Sequence, residues 1–174
     1  MRDSIGSTWI FAIIISFTMI FAGFLVLALN YAKAYRAKNE MTTIIEKYEG
    51  LTTTDKENRI GSIQIMNQFL KNNKYNSKGR CTSDDYSHLY GVNDLDATTL
   101  IKIDDDDTSL YYYCLKYEAN AENCTVLYYI TVFFDFNLPI LDQLGKFAIK
   151  GQTNEVQYGR FLDKYLVCYS NSAE

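Results

Sequence analysis

The stretch WIFAIIISFTMIFAGFLVLAL, at positions 9–29, contains no charge and no proline. As an α-helix, roughly 21 residues at about 1.5 Å each reach about 31 Å, the thickness of a bilayer's hydrocarbon core. A soluble surface helix needs one apolar stripe, whereas this run is apolar all round. Its polar side chains, Ser16 and Thr18, are of the kind that bond back to helix carbonyls. The expectation is a transmembrane anchor that includes Trp9 and Phe17, with Gly23, Ala22 and Ala28 allowing close helix approach. A cleaved secretory signal has an apolar region of only about 7–15 residues. Here the run is longer and flows into more helix, so an uncleaved anchor is expected after a short segment, 1–8.

Residues 30–49, NYAKAYRAKNEMTTIIEKYE, hold no Gly or Pro. Tyr31, Ala34, Met41, Ile45 and Tyr48 fall near one stripe at spacings of three and four, interrupted by Lys38. The simplest reading is one helix over 7–49, whose second half (30–50 with its stop) projects from the bilayer as a stem. Gly50 is the natural C′ stop. The stripe packs on the chain's own head or, as the sharper alternative, on the stems of other subunits.

Removing the helix leaves about 120 residues, enough for one domain with its own core over 51–174. The formal charge is −4, and an acidic balance argues against nucleic-acid binding. Fifteen Tyr and ten Phe favour a β-rich head. Thr54 and Glu57 fit a capping box, and Ile60, Ile63, Met66 or Asn67, and Leu70 keep helical spacing. A second amphipathic helix is therefore expected over 55–71, lying across a sheet, with a polar loop at 72–80.

Strands are expected at 97–103, 110–117 and 125–136, with a hairpin loop at 118–124. Val126, Tyr128, Ile130, Val132, Phe134 and Phe136 share one face by the period of two and form the candidate core. The other face mixes Thr125, Thr131 and Asp135 with Leu127, Tyr129 and Phe133, so it too is partly covered, by the chain or by a neighbour. Pro139 ends the strand. Shorter strands at 147–149 and 155–158 flank a bend at 150–152, and a last strand runs over 161–169. The fold class is α+β: a long N-terminal helix, then a second helix packed on an antiparallel head.

Cys81, Cys114, Cys124 and Cys168 all follow the anchor and lack the close pairs of a zinc site. Two disulfides and an oxidising compartment are expected. Of three possible pairings, Cys81–Cys114 and Cys124–Cys168 is preferred. The carboxylates of 104–107 lack the ordered ligands of a calcium loop, so a solvated turn is expected and no metal. His88, the only histidine, lies near Asp84, Asp85 and Ser87. A triad is assembled in space and not by adjacency, so an exposed loop histidine is expected. Asn123-Cys124-Thr125 fits a glycosylation sequon that is read as incidental. No phosphate loop, dinucleotide fingerprint or nucleophile elbow is present, so neither enzymatic activity nor a cofactor is expected.

Three stretches carry a resemblance: Gly6-Ser7 leading into the apolar run, the stem NYAKAYRAKNEMTTIIEKYEG, and VFFDFNLPI followed by FAIKGQT. With the overall plan they resemble type IV pilins and pseudopilins, most closely the TadE-like minor pilins of tight-adherence systems. The resemblance implies a bilayer anchor that later packs among other subunits' helices, an outward head, and work in assembly, adhesion or filament priming. Its partners would be the lipid bilayer and other pilin-like subunits or pilus and secretion assembly proteins. Processed pilins usually carry a Glu five residues after the cleavage-site Gly, where this chain has Phe11. An unprocessed, membrane-resident accessory subunit therefore fits better than a major pilin.

Lys33, Arg36 and Lys38 follow the anchor, against Arg2 before it, and the positive-inside bias would place the head in the cytoplasm. The cysteines and the pilin-like plan place it outside, with the amino terminus cytoplasmic, and this is the reading preferred. The alternative function is a single-pass anchored binding or receptor-like domain outside any filament.

Overall fold

The structure is a computed structural model that describes residues 2–53, 60–135, 146–162 and 164–168, and side chains from residue 8 onward. Helix α1 runs without a break over Arg2–Lys47. Its 46 residues extend about 69 Å. The apolar run and the charged stem are thus one rod, as an uninterrupted absence of Gly and Pro after Gly23 allows.

The stop differs from expectation. Tyr48 N–H still bonds the Ile44 carbonyl at 3.0 Å and Glu49 N–H the Glu46 carbonyl at 3.2 Å. Glu49 itself takes the left-handed conformation at φ 55°, so the reversal falls one residue before Gly50. Gly50, at φ 127°, opens strand β1 (Gly50–Leu51), where a side chain would run into the Arg160 carbonyl and the Tyr128 hydroxyl. The glycine is needed for close approach rather than as the cap.

Helix α2 spans Ser62–Asn72, starting later than the spacing indicated. Ile60 is exposed, and Gly61 is an extended N-cap with no side-chain bond of its own. The start is capped from a distance instead: Ser62 N–H donates to Thr52 Oγ1 at 3.0 Å, and Thr52 N–H donates to Ser62 Oγ at 2.8 Å. Thr54 and Glu57 lie outside the described residues. Ile63, Met66 and Leu70 are fully buried, as their spacing requires.

The main sheet contains β2 (Leu89–Val92), β3 (Ile101–Lys102), β4 (Tyr113–Asn120), β5 (Thr125–Asp135), β6 (Lys146–Gln152) and β7 (Val156–Gln157). Its order is β3-β2-β4-β5-β6, all antiparallel, and β7 continues the β6 edge against β5. Between β6 and β7 the ladder is patched by Thr153, whose hydroxyl accepts from Tyr128 N–H at 3.1 Å. Two further strands, β8 (Arg160–Phe161) and β9 (Lys164–Tyr165), form a hairpin that pairs with β1, β8 running parallel to it.

Several sequence expectations are corrected. Only Ile101–Lys102 of 97–103 is paired. Strand β4 begins at Tyr113 because Tyr111 is spent on a bridge to Gly79. It then runs through Asn120, so the hairpin turn shrinks to 121–124. Strand β6 passes straight through Lys150 and Gly151, and the chain bends after Gln152. The final segment is a short hairpin rather than one strand. Phe136 and Pro139 lie outside the described residues.

The inner face of β5 carries Val126, Tyr128, Ile130, Val132 and Phe134, all buried with Tyr113, Leu115 and Tyr117 of β4. Against it lie Ala34, Ala37, Met41, Ile44 and Ile45 of the stem and the apolar stripe of α2. The outer face is covered by the chain itself around Phe133, which sits with Cys114 in a second cluster with Cys81, Leu89, Ile103 and Tyr111, whereas Leu127, Tyr129 and Thr131 are only partly covered. The architecture is therefore α+β, a helical spine with its upper half laid into an antiparallel sheet.

Candidate functional site

Among the described residues, the lower half of α1 has no packing partner. By length and composition it is the one described helix able to cross a membrane, with a mean hydropathy of 2.7 over its most apolar window. Trp9 is 71% and Phe17 70% exposed, and Ala22 and Ala28 are also open. Gly23 alone is covered between positions 8 and 25. Thr18 Oγ1 donates to the Ile14 carbonyl at 2.8 Å, so this hydroxyl is satisfied inside the helix.

The observed helix does not bring Gly23, Ala22 and Ala28 together. At about 100° per residue, Ala22 and Ala28 point about 100° and 140° away from Gly23. The small residues that do share its face are Ser16 and Ala12, at spacings of seven and four, which the sequence reading passed over. Carried upward through five turns, the same face reaches Met41, which the head buries. The small-residue face therefore lies beneath the head.

The stem residues divide by position. Ala34, Met41 and Ile45 are buried against the head, Tyr48 is half-buried, and Tyr31 is half exposed. Ala37 and Ile44, also buried, complete the stripe at the same three-and-four spacing. Lys38, which interrupts it, lays its aliphatic stem over Gly151 and sets its ammonium 4.5 Å from the Tyr35 ring.

The helix meets the head at a defined level. Val26 and Leu27 are the first partly covered side chains, and Asn30 Nδ2 donates to the Asp135 carbonyl at 3.0 Å. Tyr31 meets Phe134 edge-on at 5.9 Å, and Phe134 stacks on Phe147 at 5.3 Å. From Trp9 to Tyr31 the helix rises about 33 Å, so aromatic rings bracket the apolar run at both ends, where bilayer interfaces favour them.

Beside this collar is a cavity of about 300 Å³ among Asn30, Lys33, Lys74, Tyr75 and Asp135. Lys33 Nζ donates to the Lys74 carbonyl at 3.1 Å. The Tyr75 hydroxyl donates to the Phe133 carbonyl. Burial, and then the nearby Asp135 charge, push that phenol above its ordinary pKa. Among the described residues, one Asp135 carboxylate oxygen is buried without a hydrogen-bond partner.

The cysteine sulfurs stand as two bonded pairs, Cys81 with Cys114 and Cys124 with Cys168. The first ties the loop covering the outer face to β4, and the second ties the chain after β9 to the β4–β5 turn. His88 is exposed and leans on the Tyr117 ring at 4.6 Å. Ser87 Oγ donates to Asp85 Oδ2 at 2.9 Å, so Asp85 holds the serine and does not orient the histidine as a triad requires. Asp104–Asp107 forms a tight turn, closed by Asp107 N–H on the Asp104 carbonyl at 3.1 Å. Among the described residues no group of three or more His, Cys, Asp or Glu is placed to hold a metal ion.

No protein-family model, no curated protein and no solved structure matches this chain.

Proposed function

We propose that this chain is a single-pass membrane-anchored assembly subunit of the pilin-like, TadE-like kind. In this reading the head stands on the oxidising side and the amino terminus in the cytoplasm. One observation carries the proposal: a single helix is divided between an upper half packed on its own head and a lower half, the uncharged run 9–29, whose side chains are largely open among the described residues. A bilayer satisfies that lower half before assembly, and other subunits' helices satisfy it afterwards. Two disulfides bracing the head fit an oxidising compartment. Because the stem stripe is buried on its own head, lateral association runs through the membrane half, on the face of Ala12, Ser16 and Gly23. The head-buried stem equally fits an anchored binding module that works outside any filament, and association separates the two.

The experiment is Gly23→Leu in the full chain, with Phe17→Leu as a control on another face. Recovery of a differently tagged copy and of co-assembling subunits is expected to fall roughly five- to thirtyfold for Gly23→Leu and to hold for Phe17→Leu. Resistance of the chain to alkaline extraction from membranes should be equal in both. Undiminished recovery with Gly23→Leu would overturn assembly through this face and leave the binding-module reading.

A further inference from the structure

The cavity beside the aromatic collar has a chemistry of its own, and its reading rests on the membrane-anchored function proposed above. Its height along the helix is fixed by Asn30, the residue directly after the apolar run, whose amide is bonded to the Asp135 carbonyl. With 9–29 in hydrocarbon, the cavity mouth falls within the headgroup layer, the outer several Å of a bilayer about 40–45 Å thick. Tyr31 and Phe147, at 50% and 40% exposure, stand at the same level, where aromatic rings settle at an interface.

The charges in the cavity define what it accepts. Lys33 and Lys74 are exposed and both line the cavity, and Lys33 Nζ donates to the Lys74 backbone carbonyl. Asp135 opposes them, and one of its carboxylate oxygens is buried without a donor among the described residues. Lys146 stands opposite Asp135 on β6, and among the residues that line the cavity two cations and one carboxylate leave a net charge of +1. A phosphodiester bearing one negative charge neutralises it. A hydroxyl on the same headgroup gives Asp135 a hydrogen-bond donor, which a quaternary ammonium lacks. The cavity, about 300 Å³, has room for a phosphate and a short polyol.

We propose that this cavity binds the headgroup of a singly anionic, hydroxyl-bearing phospholipid, of which phosphatidylglycerol is the simplest. Its phosphate lies against Lys33 and Lys74, and a glycerol hydroxyl donates to Asp135. The bound lipid would fix the height of the head above the bilayer and its rotation about the helix axis.

The test uses the full chain in a non-ionic detergent, equilibrated with equal amounts of phosphatidylglycerol and phosphatidylcholine, with bound lipid counted by native mass spectrometry. Phosphatidylglycerol is expected to be enriched, and the enrichment to fall about fivefold for each lysine lost in Lys33→Gln and Lys74→Gln. Lys102→Gln with Lys164→Gln, exposed lysines elsewhere on the head, should leave it unchanged. Equal retention of both lipids, or an enrichment indifferent to Lys33→Gln and Lys74→Gln, would overturn the headgroup site. Binding of free glycerol phosphate as tight as that of the lipid would overturn the lipid as its source. Alkaline extraction of the same chain from vesicles of both lipids keeps the underlying reading separate. A chain that is not extracted yet shows no lipid preference refutes the cavity alone, and a chain that is extracted refutes the anchor.

Discussion

Removing the two disulfides one at a time gives a quantitative test of how the head is held. Cys81–Cys114 closes 33 residues and Cys124–Cys168 closes 44. Chain-entropy scaling assigns about 3.7 kcal/mol to the first and about 4.0 kcal/mol to the second. Each is a large share of the ~5–15 kcal/mol that keeps a domain folded, and the two together approach it. The perturbations are Cys81→Ala with Cys114→Ala, and Cys124→Ala with Cys168→Ala, in the full chain in detergent. The only tryptophan is Trp9, in the span, so the head is followed by tyrosine near-ultraviolet dichroism during urea unfolding. With a slope of about 2 kcal/mol per M, each pair should lower the midpoint by roughly 2 M. The variant lacking all four cysteines should lose the tyrosine signal without urea while α1 keeps its far-ultraviolet signal in the micelle. A midpoint shift under about 0.5 M for either pair would refute the reasoning. It would mean that the sheet and the stem already restrict those loops in the unfolded chain. The result bears on topology, because a head that needs both bridges does not persist in a reducing cytoplasm.

Two further outcomes are expected. Met41→Ala empties a fully buried site between stem and sheet and should cost about 2–5 kcal/mol in the same urea assay. Phe17→Ala, in the open half of the helix, should leave that midpoint unchanged, and equal effects would mean the stem does not belong to the head's core. The Tyr111 hydroxyl donates to Asp107, and this bond, with those from Ser109, holds the carboxyl below the ordinary Asp range. A depressed folded pKa stabilises above the unfolded value and is lost as pH falls through the folded one. Tyr111→Phe should therefore raise the Asp107 pKa and shift the acid-side loss of the Asp104–Asp107 turn to higher pH, read by carboxyl NMR titration. An unmoved titration would show that the phenol does not donate there.

The parts legible in the sequence were those with a long, unbroken period. An uncharged run of this length, with only Ser16 and Thr18 polar, reads as a helix apolar on all sides, and the alternation from Val126 to Phe134 gives β5 one buried face. The stem stripe was readable to within Ala37 and Ile44, which Lys38 obscured because its charge masks an aliphatic stem that packs on Gly151. Short elements were not legible, since their partners are distant. Strand β2 holds only LYGV, and its glycine exists to admit the Tyr111 ring. The capping of α2 by Thr52, ten residues upstream of Ser62, leaves no local pattern. The cavity brings together α1, the loop after α2 and the end of β5. No spacing rule joins Lys33, Lys74 and Asp135.

The cations after the anchor meet a different account once the head is in view. Lys33 donates to the Lys74 carbonyl, with its ammonium 5.7 Å from the Tyr75 ring. Lys38 covers Gly151 and faces the Tyr35 ring. Each lysine thus has a folding reason to be where it is, on a stem that must both reach water and pack on a sheet. The positive-inside bias treats such residues as free charges whose only task is to resist translocation. Two of the three charges that oppose an outward head also make contacts within the head. One disulfide has no such second account: Cys168 is exposed, and its pairing with Cys124 fastens a surface turn to the end of the last hairpin. A thiol buried for packing would sit in the core, but this pair sits at the rim, where its use is as a bridge. In the proposed orientation, with the head outside, the exposed bridge is the feature that supports the reading and the count of lysines the feature that opposes it.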